Sequence, residues 1–395
     1  MKWREIPPNA RRYMLYHVFV TPGLICWYLL PLYLMMTGLS VFEVGWLFTI
    51  INLLSIPLTY LVCKRFDRVP VKRGLITIDM LDGVAYTFYF LAKGAFAPFA
   101  LLIGRMLEEI SFLFYPLYPA YERIIYPRER RSEILSWHLR LPEVSSMVSF
   151  PLIGYLLGYI FTKPYHYRSA FLLFGLLTVF TVWYLWKFLP EAGEKERLSF
   201  EKFSFKFDRK FALFITVDSL ITLAGSITPE LVLINYVVFT LKKTIFEVTL
   251  IEAGMAAVTI FVTFLTERAK NEWAGIYMIS GLGSLVLYSL IMGSSPSFVM
   301  TLFAYVIMRF GSSLMFPFYR DWMWSFIPSE RSAQLHGALS SLRRSIKIIS
   351  PFLAGWQAFV HPVLPYITGA FLYSIAAALI LVWNIRIKGF GNRSF

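Results

Sequence analysis

Residues 167–189 read YRSAFLLFGLLTVFTVWYLWKFL, an apolar run whose only charges, Arg168 and Lys187, sit at its two ends. Coiled as an α-helix at ~1.5 Å per residue, a run of this length crosses a hydrocarbon core about 30 Å thick. Runs like it recur from one end of the 395-residue chain to the other, and the chain is 57% hydrophobic and 16% charged. A domain with water on all sides rarely has that balance. Lipid is the expected solvent, and no large soluble domain fits between the runs.

Twelve spans are expected, at 13–36, 42–63, 74–92, 96–120, 135–161, 167–189, 211–233, 245–266, 273–292, 298–319, 333–359 and 363–385. The basic N-terminal segment, Met1 to Arg12, leads into a long first span that closes at Thr37 and Gly38 without a small-residue cleavage pattern. A retained span is expected there, not a cleaved signal peptide. The formal charge of +14 raises the question of nucleic acid, and the placement of the cations answers it. Of the 38 Lys and Arg, 27 fall in connections on the side of the N-terminus, five on the other side and six within spans. The excess of cations on one side puts both termini in the cytoplasm of a cell-membrane protein. The charge then reports topology and contact with anionic lipid, with no nucleic-acid partner implied. Cys26 and Cys63 both fall in spans, so neither a disulfide framework nor a metal-ligand spacing is available. No cofactor motif and no phosphate-binding loop is present.

The two halves repeat. Phe42, Glu43 and Val44 align with Phe246, Glu247 and Val248, and Arg105 aligns with Arg309. Pro127, Arg128, Glu129 and Arg130 align with Pro328, Ser329, Glu330 and Arg331, and Pro151 with Pro351. The organisation expected is a six-helix bundle over 1–189, a cytoplasmic linker over 190–210 and a second six-helix bundle over 211–395. Halves of like orientation form a parallel repeat, a plan with a substrate site near the membrane midplane.

At this level the chain resembles a twelve-helix transporter of the major facilitator superfamily. Gly38, Leu39, Ser40, Val44, Gly45 and Trp46, followed by Asp67, Arg68, Lys72 and Arg73, resemble the family's entry to helix two and its signature loop, with Cys63 and Pro70 at its glycine positions. Arg105 resembles the arginine of the fourth-helix motif, with Glu108 and Glu109 where glutamine and glycine are usual. Pro151 with Gly154 partly resembles the fifth-helix motif of antiporters. The resemblance implies an all-α membrane fold, a monomer, and a cavity to which Trp27, Tyr28, Arg105, Glu108, Tyr115, Asp218, Asn235, Arg309 and Phe316 contribute spans.

Ionisable groups inside a span are costly in lipid and mark function by default. Asp82, Arg105, Glu108, Asp218 and Arg309 are the deep candidates for a substrate or proton pathway, with Trp27, Tyr28 and Tyr115 beside them. Protonating Glu108 would release Arg105 to a new partner, a device for proton coupling; a structural pairing of Arg105 with Glu109 and Asp82 is the competing reading. Asp79 lies nearer the cytoplasmic end, where hydration is expected. Asp67, Arg68, Lys72, Arg73, Glu129, Arg130, Glu330 and Arg331 are read either as a cytoplasmic gate or as a solvated cluster that sets orientation. An enzyme is disfavoured: Asp79, Asp82 and Gly83 open like a transferase motif, but Tyr86 and Thr87 break it. The expectation is proton-coupled export of amphipathic organic compounds, with proton-coupled uptake of an organic anion or sugar, or a receptor without flux, as alternatives.

Overall fold

A computed structural model describes residues 3–66, 70–115, 117–127, 130–191, 209–266, 273–324 and 332–389, and among these there is no strand. The helices are α1 (Pro8–Val20), α2 (Cys26–Met36), α3 (Val41–Phe66), α4 (Val71–Leu91), α5 (Ala97–Phe114), α6 (Leu117–Ile125), α7 (Arg131–Tyr155) and α8 (Pro164–Phe188). They continue as α9 (Arg209–Ile227), α10 (Glu230–Ile234), α11 (Ile245–Thr266), α12 (Ala274–Gly293), α13 (Phe298–Trp324), α14 (Ser332–Val360) and α15 (Leu364–Gly389). Each of the twelve expected spans falls largely on helix, with 13–36, 96–120 and 211–233 each divided between two helices. The expected linker lies almost wholly outside the described residues, since 192–208 are not among them.

Among the described residues nine helical segments are long and apolar enough to cross a membrane, with Val41–Pro57 a shorter tenth. Charge keeps two further helices out of that set. Arg105, Glu108 and Glu109 interrupt α5, and Arg343, Arg344 and Lys347 interrupt α14. On α8 the residues turned outward are Leu173, Leu176, Val179, Phe180, Trp183 and Trp186. Their spacing draws one apolar stripe along the helix, the surface that hydrocarbon wets.

Local sequence explains where helices start and break. Ser40 and Glu43 form a reciprocal cap on α3: the Ser40 amide and hydroxyl donate to Glu43 Oε2 at 2.7 and 2.8 Å, and the Glu43 amide donates to Ser40 Oγ at 3.2 Å. Before α11 the Thr244 amide and hydroxyl likewise donate to Glu247 Oε2, at 2.8 and 2.7 Å, while Thr244 Oγ1 accepts from the Phe246 amide at 3.2 Å. Glu43 is thus the N3 residue of a capping box, and the aligned Glu247 holds the start of α11 through the same side-chain contacts. Pro22 falls in a 3-10 turn, Thr21–Ile25, that separates α1 from α2. Pro229 stands at the N-cap of α10, after α9 has ended. Proline removes a bond from the helical ladder, and both breaks fall at one, although Pro31, Pro57, Pro142, Pro151, Pro317 and Pro351 lie within helices.

The chain divides into two compact units, one of Met1–Leu39, Leu47–Leu198 and Thr244–Thr249, the other of Ser40–Trp46, Ser199–Lys243 and Leu250–Phe395. In the first, α4 packs against both α5 and α8. Its core is rich in tyrosine, with Tyr13, Tyr16, Tyr121 and Tyr126 almost wholly buried beside Met14, Ile78 and Leu185. In the second, α12 packs against α13 and α15, and Val217, Leu282, Met315, Phe318 and Tyr373 form the core.

Two glycines let α12 and α13 approach backbone to backbone. A Cβ at position 281 would lie 2.5 Å from Met315 Cβ and 2.7 Å from the Gly311 carbonyl oxygen, whereas a Cβ at position 283 meets nothing within 4 Å. Gly281→Val is therefore expected to destabilise the second unit by about 1–3 kcal/mol or more. Gly283→Val, on the same helix, should unfold near the wild-type temperature. Thermal unfolding of the two purified variants checks the pair, and equal melting would refute the close approach.

Candidate functional site

In the first unit, α4 supplies the acids. Asp79 and Asp82 are three residues apart and share one helix face. Asp79 is 3% exposed and held on both oxygens: Tyr16 Oη donates to Oδ1 at 2.8 Å and Thr181 Oγ1 donates to Oδ2 at 2.5 Å. The Tyr118 hydroxyl stands 3.2 Å from that of Tyr16. With Tyr16 donating to the carboxylate, Tyr118 is the donor to Tyr16, and the three form a relay. The expected hydration of Asp79 is thus corrected: side chains on α1 and α8 close over it. Asp82 is placed differently. Its Oδ1 is buried with no hydrogen-bond partner among the described residues, and so is Ser111 Oγ.

On α5, Arg105 holds two carboxylates of its own helix, Glu108 through Nη1 at 2.5 Å and Glu109 through Nη2 at 2.9 Å. Tyr89 Oη donates to the same Glu108 oxygen at 2.8 Å. The guanidinium carbon also lies 5.4 Å from the Phe48 ring centre and 5.8 Å from that of Phe112. Spacings of three and four residues on a helix produce this fork. Asp82 is not one of the ion-pair partners of Arg105, which corrects that part of the structural reading.

A cavity of about 230 Å³ opens in this unit beside the α1–α2 break. Asp79 and Asp82 line it, with Trp27, Tyr115 and Tyr118, and so does His17. Trp27, Tyr115 and Asp82 were named from the sequence; Tyr28 does not line the cavity and instead packs edge-on against Phe150, ring centres 6.5 Å apart. His17 was not a sequence candidate. Its Nε2 is buried without a partner among the described residues, and its ring lies 4.6 Å from that of His138. His138 Nδ1 is 2.6 Å from Tyr126 Oη, and its Nε2 faces Glu122 at 3.7 Å. Among the described residues no three His, Cys, Asp or Glu side chains converge as metal ligands.

In the second unit, Asp218 on α9 is 2% exposed. Arg343 on α14 clamps it through Nε at 3.1 and 3.0 Å and Nη2 at 2.5 Å, and Tyr319 Oη on α13 donates to the same carboxylate. The partner of Asp218 is thus Arg343, which the sequence reading passed over. Three cations within one apolar span, Arg343, Arg344 and Lys347, were the available signal. Arg309, on α13, has its Nε buried without a partner among the described residues.

Of the gate candidates, Asp67, Arg68, Glu129, Glu330 and Arg331 lie outside the described residues. Lys72 is buried at the start of α4, where its Nζ donates to the Trp186 carbonyl at 3.0 Å and lies 3.7 Å from Glu191. Arg73 and Arg130 are exposed.

Helices of membrane-crossing length thus stand around buried acids and an aromatic-walled cavity. The chain belongs to the major facilitator superfamily, whose sequence profile matches residues 18–351. It is a multi-pass membrane protein with that family's all-α fold. A bacterial homologue of the iron transporter ferroportin, in an inward-facing state, is similar with a TM-score of 0.72 at 15% identity, over 97% of this chain and 99% of that one. A POT family transporter in complex with a thioalcohol-conjugated peptide has a TM-score of 0.68 at 13% identity, over 98% and 99%. The human organic anion transporter MFSD10 has a TM-score of 0.67 at 14% identity, over 95% and 100%. At these identities the likeness is one of fold. A search of curated proteins gives no match.

Proposed function

We propose that the protein is a proton-coupled exporter of amphipathic organic compounds, working as a monomer by alternating access in the cell membrane with both termini cytoplasmic. The observation that carries this reading is the surplus of acid in the first unit. Glu108 and Glu109 share a single guanidinium, Arg105, and Asp82 interacts electrostatically with Glu108, Asp79 and Arg105. Uncompensated charge is not tolerated in a low-dielectric interior, so a cluster with more carboxyls than cations is one that can load and unload protons. Aromatic walls suit an apolar cargo. The organic-anion alternative has less support, because Arg105 already holds two carboxylates and offers little attraction to a third.

The test is reconstitution in liposomes with an internal pH dye and an imposed proton gradient, against a panel of lipophilic cations, sugars and organic anions. Compound-dependent dissipation of the gradient is expected for amphipathic members. Saturable binding with no proton movement for any member would replace the reading with that of a facilitator or receptor.

A further inference from the structure

Two residues that line one cavity each carry a buried polar atom with no protein partner among the described residues, and together they describe a ligand. Asp82 Oδ1 and His17 Nε2 are both fully buried and both without hydrogen-bond partners among the described residues, and both residues line the same 230 Å³ space. Leaving such atoms unsatisfied costs about 1–3 kcal/mol each, so a group that satisfies them is bound with that advantage. Neighbouring side chains do not answer them. Asp79 has both oxygens engaged by Tyr16 and Thr181, and Ser111 approaches Asp82 without hydrogen-bond geometry.

The charge of the wall selects the ligand further. Two carboxyl side chains line the cavity and no Lys or Arg does. A cation bound beside Asp82 would keep its carboxylate ionised, in which form it accepts hydrogen bonds and cannot donate, and a neutral imidazole nitrogen can accept one as well. The complementary group is a cation with several N–H donors. Around these acceptors the wall is apolar and aromatic, with Trp27, Tyr115 and Phe174. Rings of this kind attract a cation through their faces and an organic body through apolar contact. The volume is below the roughly 300–1,000 Å³ of sites that take drug-sized ligands, so the body is small.

We infer that this cavity, wholly within the first unit, is a binding site for a compact organic amine, its ammonium donating to the Asp82 carboxylate and the His17 imidazole and its apolar body lying against Trp27 and Tyr115. The inference rests on the export reading in one respect only: it names the class of compound carried. Recognition itself needs no transport.

Gly23 supplies a blocking variant that leaves the packing alone. It lines the cavity, has an ordinary backbone conformation, and a Cβ built on it meets nothing within 4 Å. A leucine there projects into the space the amine would take.

The experiment is isothermal titration of the purified full-length protein in detergent with phenethylamine, phenethyl alcohol and manganese(II), for wild type, Asp82→Asn and Gly23→Leu. Saturable binding of the amine is expected in wild type, with the alcohol at least tenfold weaker. Asp82→Asn and Gly23→Leu should each lose tenfold or more in amine affinity, the latter with unchanged thermal unfolding. No saturable amine binding in wild type, alcohol binding as tight as the amine, or full affinity in folded Gly23→Leu would each overturn the site. Manganese displacing the amine would make it a metal site instead. If Asp82→Asn does not fold, the amine-to-alcohol ratio and Gly23→Leu decide. A protein that binds the amine yet moves no protons with any compound would sink the export reading and leave this one standing; proton flux with compounds that the cavity does not bind would do the reverse.

Discussion

Glu108→Gln is expected to cut compound-driven proton flux by about a hundredfold, the lower end of what a positioned proton-transfer group contributes. The amide keeps the shape of the side chain and can still accept from Tyr89 and Arg105, which both reach the same Glu108 oxygen. It cannot take up or release a proton. Arg105 also keeps its second partner, Glu109, so folding should survive the exchange. Counterflow of the same compound, with no net proton movement, is expected to persist. The contrast separates coupling from binding, and undiminished proton flux in the variant would remove Glu108 from the route.

The second large effect lies in the other unit. Arg343→Met leaves the Asp218 carboxylate 2% exposed with only Tyr319, among the described residues, to answer it. Breaking a buried pair from one side costs about 3–5 kcal/mol, and because the Arg343 side chain is 35% exposed the lower end applies, about 3 kcal/mol. Replacing both partners is a different matter. Asp218→Asn with Arg343→Met removes the charge along with its counter-charge and should recover most of the loss, since paired apolar or neutral replacements of buried ion pairs are often close to neutral. Thermal unfolding across the four-member cycle measures this. Equal destabilisation by the single and double variants would show that the pair is not coupled and that each residue acts alone.

Much of this was legible in the sequence because it depends on neighbours along the chain. The spans follow from apolar runs, and the repeat shows itself in Glu43 and Glu247 because a side-chain cap is a local device of four residues. The fork from Arg105 to Glu108 and Glu109 follows from helical spacing alone. What escaped depends on which faces of separate helices meet. Asp79 was expected to be hydrated from its depth, yet Tyr16 and Thr181, ordinary polar residues on other helices, close over it. Asp218 finds Arg343 from 125 residues away, a pairing that no periodicity encodes. His17 escaped for the same reason, a lone histidine whose meaning comes from the cavity it faces.

The helix that carries Asp79 and Asp82 is gripped on both flanks where side chains are missing. A Cβ at Gly83 would lie 2.0 Å from Thr178 Oγ1 on α8, and one at Gly104 on α5 would lie 3.0 Å from the Ala85 carbonyl of α4 and closer still to the Tyr89 ring. Contacts this close behave as a jig. A wall held by such close helix packing is expected to resist widening for a bulkier guest, and to have little disorder left to surrender when a fitting one arrives. On the amine-site inference, selectivity by size would be built in before any ligand is met, with the cost of ordering the site met during folding.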